Sequence, residues 1–199
     1  CSHFGRTPPC TDAVRAAGIA RVVIGCLDPL ERRRGEGVRI LQAAGIDVVV
    51  AAGPAAEACR EMNAAFLTWA ATGRPMVTLK MAASLDGKVA TRTGETRWIS
   101  GPDARAMVHR WRADADAVAV GIGTALADDP QLTARDVDGP VRQPARVVFD
   151  RTARLPLDSK LVQTARELPL IVIVGKQAPA ERREALGESG ARLIEVAEN

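Results

Sequence analysis

With 199 residues, 47% hydrophobic content, 26% charged content and a formal net charge of +3, the chain has enough apolar material for one large domain or two small ones. It carries no excess of basic charge that would point to nucleic acid. Aromatic residues make up only 3% and tyrosine is absent, which gives no basis for base-stacking platforms, and no apolar run approaches the ~18 residues of a membrane span.

In chain order, the opening ten residues read C-S-H-F-G-R-T-P-P-C. Pro8 and Pro9 set the backbone for a helix over 11–17, stopped at Gly18. A strand at 21–25, a helix near 37–44 stopped at Gly45, and a strand at 47–51 follow. Alternating helix and strand at these lengths predicts a parallel α/β sheet. Two strands alone do not make a stable parallel sheet, so this segment reads as the back part of a larger α/β domain. Residues 54–72 are expected to form one helix, with Ala58, Met62, Phe66, Leu67 and Trp69 at near-helical spacing. Gly73-Arg74-Pro75 ends it, and the domain boundary is placed there, giving segments 1–73 and 74–199.

The stretch 77–90, V-T-L-K-M-A-A-S-L-D-G-K-V-A, reads as a strand that breaks at Ser84-Leu85-Asp86-Gly87, with Asp86 as a turn former. A lysine within an apolar strand either stands in water on an edge or faces a polar pocket with an anionic partner, because burying an unpaired ammonium is expensive. A turn at 91–95 and a short extended piece at 97–99 come next. Ser100 is expected to cap a helix reaching about Ala113, with Asp103 completing a capping box. A strand at 117–120 leads into Gly121-Ile122-Gly123-Thr124, and Asp129-Pro130 stops the short helical turn beyond it. Buried strands at 147–149 and 170–174, a helix at 179–187 and a strand at 192–196 complete the chain.

Four cysteines at irregular spacing, without a basic-then-apolar leader, point to a reducing compartment, read as the cytoplasm, and to free thiols or metal ligands. Cys1 and Cys10 flank a tight loop, with Cys10 at a helix start that favours thiolate. They are either core thiols or a pair of zinc ligands, and His3 and Arg6 on the same loop could hold an anionic substrate. Gly121-Ile122-Gly123-Thr124 is either a plain turn or a place where backbone N–H groups approach a phosphate. Arg112 suits the end of a helix by its charge alone.

Together these motifs resemble the bifunctional deaminase–reductase family of riboflavin biosynthesis. The opening ten residues match its deaminase zinc motif from the first cysteine, and 77–88 match the start of its reductase domain. G-E-T-R-W-I-S-G at 94–101 and G-I-G-T-A-L-A-D-D-P-Q-L-T-A-R at 121–135 continue the match. The resemblance implies the C-terminal part of a cytidine-deaminase-like α/β sheet, followed by the N-terminal part of a dihydrofolate-reductase-like α/β domain. It implies zinc-dependent deamination of a phosphoribosylated diaminopyrimidine, then NADPH-dependent reduction of the ribose to a ribityl chain.

Carried over by residue, the resemblance makes Cys1 and Cys10 zinc ligands, with His3 and Arg6 against the substrate. It makes Ala82, Trp98, Thr124 and Asp128 NADPH contacts, and Thr96, Arg112, Leu132 and Arg135 substrate contacts. Lys80 and Asp128 become the polar pair beside hydride transfer. The implied partner is a small phosphoribosylaminopyrimidine, with neither nucleic acid nor membrane, and a homo-oligomer is compatible with it. The family's H-A-E and E-G-G segments have no counterpart in these residues. The expectation is therefore a central fragment, inactive as a deaminase, or alternatively a non-catalytic chain that at most binds nucleotide.

Overall fold

The computed structural model describes residues 2–30, 33–96 and 98–197. It divides into two compact units, 1–80 and 81–199. Among the described residues no helix is long and apolar enough to cross a membrane.

In the first unit, α1 (Cys10–Ala16) follows Pro9, and Gly18 leaves it at φ +65. The strands β1 (Arg21–Ile24) and β2 (Asp47–Val50) pair in parallel across α2 (Glu36–Ala43), with Arg21 opposite Asp47. Their side chains close that end of the ladder with a 2.8 Å ion pair. The single helix expected over 54–72 is two: α3 (Gly53–Met62) and α4 (Ala64–Thr72). Asn63 separates them at φ −103, ψ 12, its amide donating to the Cys59 carbonyl one turn back at 2.8 Å. A short amide side chain competes for backbone groups in this way and favours helix ends. The apolar positions at helical spacing, Met62, Phe66 and Trp69, are exposed.

Residues 77–83, where the chain passes from the first unit to the second, have no regular structure, and Val77 and Leu79 are each 83% exposed. The alternation suits a strand, but a strand persists only when a neighbour takes its N–H and C=O groups, and among the described residues none pairs with it. The loop after it does form as expected: Ser84 and Lys88 exchange backbone hydrogen bonds of 2.9 Å and 3.0 Å, the latter to the Ser84 hydroxyl, around Gly87 at φ +77. The turn at 91–95 is closed by Thr91 N–H to the Glu95 carbonyl at 3.0 Å. Residues 98–100 are bent, not extended.

From there the order is α5 (Pro102–Asp114), β3 (Ala117–Gly121), α6 (Ile122–Asp128), β4 (Ala145–Phe149), α7 (Lys160–Gln163), β5 (Leu170–Gly175), α8 (Ala180–Glu188) and β6 (Arg192–Val196). Ser100 does not cap α5; the N-cap is Gly101, with no side-chain bond. The four strands form one parallel sheet in sequence order, β3-β4-β5-β6. The fold is therefore α/β with parallel sheets.

One face of the larger sheet is buried: Val148, Leu170, Val172 and Val174 pack with Leu155, Leu161 and Leu186. The other face, with Val147, Ile171 and Ile173 half-buried and Phe149 56% exposed, is not. The strands expected to be buried at 147–149 and 170–174 are buried on one face, the alternation that a sheet covered on a single side produces. α7, which the sequence reading passed over, is a single turn whose Ser159 N-cap accepts from Val162 N–H.

Candidate functional site

The second unit fastens one irregular segment, 129–136, with unusual care. It follows α6, which Asp129 ends in the left-handed region at φ 39; Leu132 (φ 57) and Asp136 (φ 55) are left-handed too. Such conformations cost ~1–3 kcal/mol each for non-glycine residues and persist only where the surroundings over-determine them. Here they do. Leu132 is 3% exposed within the apolar core. Gln143 grips Ala134 from both sides, its carbonyl taking the Ala134 N–H and its amide donating to the Ala134 carbonyl, each at 2.9 Å. Asp129 accepts the Lys160 N–H at 2.9 Å and pairs with its ammonium at 3.3 Å, tying the end of α6 to α7.

The Lys160 backbone hydrogen bond, with lesser help from its ammonium, holds the Asp129 carboxyl below its ordinary value of 3.8. A carboxyl lowered in the folded state contributes stability that is complete above the unfolded value and is lost as pH falls through the folded one. Asp129→Asn is therefore expected to melt earlier than the parent at pH 6, by a margin that shrinks as pH falls below the ordinary carboxyl range, in parallel thermal scans. A margin that stays the same as pH falls would remove Asp129 from the acid limb.

Two guanidinium groups converge on this segment. Arg112, in the last turn of α5, donates to the Thr133 carbonyl at 3.2 Å. Arg135 is on the segment itself and donates to Gln131. Burial first and then the Arg135 charge lower the Arg112 pKa from its ordinary value. Among the described residues neither guanidinium is paired with a carboxylate, and the Thr133 hydroxyl is buried without a hydrogen-bond partner. Two mutually repelling cations beside an unused hydroxyl make a receptive place for an anion, which Arg binds with short, charge-assisted bonds.

The remaining expected site residues fall as follows. Thr124 and Asp128 lie four apart and therefore on one face of α6, both exposed. Gly121-Ile122-Gly123-Thr124 is not a free loop: the helix starts at Ile122, directly after the strand. A β-carbon added at Gly121 or Gly123 would meet nothing within 4 Å, so the backbone there is open. Ala82 is half-buried and Thr96 exposed in the irregular opening of this unit. Trp98 is 71% exposed, with the Arg105 guanidinium 4.2 Å from its ring centroid. Leu132 is 3% exposed and part of the apolar core. Lys80 is exposed and without regular structure at the end of the first unit. The strand that was to carry it is absent.

In the first unit, His3 is half-buried with its Nδ1 buried and unpartnered, Arg6 is exposed, and Cys10 is exposed at the first position of α1. Cys1 lies outside the described residues. Among the described residues no three His, Cys, Asp or Glu side chains gather as a metal group. A catalytic zinc takes three protein ligands, and the motif here offers two thiols, so the residues present do not make a complete zinc site. Sequence reasoning missed His109, Gln143 and the Asp129–Lys160 tie. Only His109 had a readable signal, its spacing of three from Arg112 on one helix face.

A four-stranded parallel sheet whose strands are joined by helices makes the second unit an α/β domain. Comparison narrows the class. The RibD C-terminal domain profile matches residues 75–197, and the chain belongs to that family. It is 45% identical over 194 residues to the riboflavin biosynthesis protein RibD of Aquifex aeolicus, covering 98% of this chain and 53% of that protein. With its Escherichia coli counterpart it shares 42% over 178 residues, 84% of this chain and 48% of the relative. The Acinetobacter baumannii RibD structure superposes with a TM-score of 0.84 at 40% identity, covering 98% of this chain and 53% of that one. A Thermotoga maritima structure, described as a diaminohydroxyphosphoribosylaminopyrimidine deaminase/5-amino-6-(5-phosphoribosylamino)uracil reductase, does so at 0.78 and 34%, covering 98% and 59%. The chain spans about half the length of the curated relatives it matches.

Proposed function

We propose that the second unit is the reductase part of a riboflavin-biosynthesis enzyme, acting on a phosphoribosylaminopyrimidine with NADPH as reductant. The observation that carries the reading is the pair Arg112 and Arg135: among the described residues, two guanidiniums without carboxylate partners, Arg135 on the strained segment and Arg112 donating to it from α5. They suit the phosphate of a ribosyl-phosphate substrate. The open backbone at Gly121 and Gly123 and the shared face of Thr124 and Asp128 support a place for the cofactor beside the end of β3, with Ala82 and Trp98 as further contacts.

NADPH, when bound, supplies a hydride. Converting a ribosyl to a ribityl chain adds that hydride and one proton. Arg112 and Arg135 hold the phosphate end, Thr96 lies against the sugar and Asp128 orients the reacting end; the role of Lys80, delivering the proton or holding the oxygen that receives it, rests on the likeness of 77–88 to the start of the family's reductase domain.

The first unit is read as the C-terminal part of a cytidine-deaminase-like domain, on the strength of the loop from Cys1 to Cys10 with His3 and Arg6. It would act on the same phosphoribosylated pyrimidine in its diamino form. No step is derived through zinc, since the ligands here fall short of a site. In the intact protein, Lys80→Ala is expected to lower NADPH-dependent reduction by about tenfold or more, the lower end of what a positioned proton donor contributes. Turnover equal to that of the parent, followed by loss of nicotinamide absorbance, would take Lys80 out of the reaction.

A further inference from the structure

His109 stands on α5 one turn before Arg112, and its Nδ1 accepts the backbone N–H of Arg135 at 3.2 Å. No role above uses it. Its surroundings fix its state. Burial, then the Arg112 and Arg135 charges, lower its pKa from 6.5, against the smaller opposing effects of the Thr133 carbonyl and Asp136. The imidazole is therefore neutral at pH 7 and keeps the lone pair that the hydrogen bond needs.

The position of that bond matters. The other ties on the segment reach Asp129, Leu132, Thr133 and Ala134. The Arg135 N–H is the opposite edge of the peptide whose Ala134 carbonyl Gln143 holds, and Arg135 directly precedes the left-handed Asp136. His109 and Gln143 thus fix one peptide plane from both edges; with Gln143 alone that plane can turn, and the Arg135 side chain that departs from it shifts relative to Arg112. α5 thus contributes twice to one small site: Arg112 as a cation, and His109 as the acceptor that registers the second cation against the first.

We propose that His109 is a positioning residue for the phosphate of the substrate: its unprotonated Nδ1 holds the Arg135 backbone so that the Arg135 and Arg112 guanidiniums close on one anion. The proposal rests on the reading of Arg112 and Arg135 as phosphate ligands, and its test keeps the two apart.

Steady-state reduction is measured in the intact protein for the parent, His109→Ala, His109→Asn and Arg135→Gln. One neutral hydrogen bond is worth ~0.5–1.5 kcal/mol, so His109→Ala is expected to raise the KM of the phosphorylated substrate about three- to tenfold, with the KM of NADPH unchanged. His109→Asn, whose amide oxygen can stand where Nδ1 stands, is expected to restore the parent value. A merely structural histidine would shift both KM values or the melting temperature together, and would not be rescued by asparagine. The proposal falls if His109→Asn behaves like His109→Ala, or if His109→Ala leaves the substrate KM unchanged while Arg135→Gln raises it. If Arg135→Gln leaves that KM unchanged, the phosphate reading itself fails and takes the proposal with it. Should the alanine variant not fold, the asparagine variant decides: a parental KM supports the role, and a rise of about threefold or more overturns it.

Discussion

Arg146→Ala is expected to destabilise the second unit by about 3 kcal/mol or more in urea melts, and Arg146→Met by distinctly less. Arg146 is 1% exposed in the middle of β4, on the buried face of the sheet. Its guanidinium donates to the Thr164 hydroxyl at 2.6 Å, to the Thr164 carbonyl at 3.2 Å and to the Leu168 carbonyl. It thereby closes the turn between α7 and β5 from inside the core. Burial lowers its pKa from the ordinary guanidinium value, and its Nε has no partner.

Two effects oppose each other at that position. Removing the side chain takes the donor from the Leu168 carbonyl and the Thr164 hydroxyl oxygen, both on half-buried residues, at ~1–3 kcal/mol for each group left unsatisfied, while the Thr164 carbonyl keeps the Glu167 and Leu168 N–H groups; alanine adds a cavity the length of the lost side chain. Removing the cation also relieves the cost of holding a charge away from water, which is why buried ionic groups are often replaced by apolar ones at little loss. Alanine takes the full penalty of cavity and orphaned acceptors. Methionine fills most of the volume and keeps the relief, so only the acceptors count against it. Alanine and methionine variants of equal stability would show that the cavity is negligible and that the turn finds other donors.

The same residue shows where sequence reading stops. In the sequence Arg146 is the second residue of A-R-V-V-F, and a cation there looks like an edge or a strand start. Its partners are 18 and 22 residues ahead, on a turn that carries no signal of facing back. The parallel α/β character, by contrast, was legible. β-branched runs alternate with glycine-stopped helices, and Gly18, Gly45 and Gly73 all leave their helices at positive φ as expected.

The break at Asn63 was not legible, because helical spacing continues through it in register; only a local amide-to-carbonyl bond marks the end. The failed strand at 77–83 is the reverse case. Its pattern is sound, but pairing is a property of the neighbour and is not written in the strand. At the site, the motif ending in Arg135 was legible as a string and its geometry was not. The left-handed residues Asp129, Leu132 and Asp136 carry side chains, so nothing in the letters flags them. Leu132 in particular is a core residue whose backbone bends the loop.

Arg112→Gln is expected to raise the KM of the phosphorylated substrate about 10–100-fold, with kcat changed far less. A hydrogen bond from a charged donor contributes ~1.5–3 kcal/mol, and 1.4 kcal/mol is a factor of ten. An interaction with the far end of the substrate, made alike in ground and transition states, appears mainly in KM. Arg112→Lys discriminates charge from geometry. Arg112 already spends one N–H on the Thr133 carbonyl at 3.2 Å and has others left for a phosphate oxygen. A lysine ammonium is a single point on a flexible stem and cannot hold the carbonyl and fork onto the anion together. The lysine variant should therefore recover only part of the loss. Arg112 and Arg135 also repel each other when the site is empty, to the extent that Arg135 lowers the pKa of Arg112. An anion removes that repulsion, so losing both arginines should cost less than the sum of the single losses, the signature of two groups serving one ligand. Raised ionic strength should weaken substrate binding in the parent more than in Arg112→Gln, since screening acts on whichever charges remain. Strict additivity, with equal salt dependence in parent and variant, would place the phosphate elsewhere and leave Arg112 as no more than the anchor of Thr133.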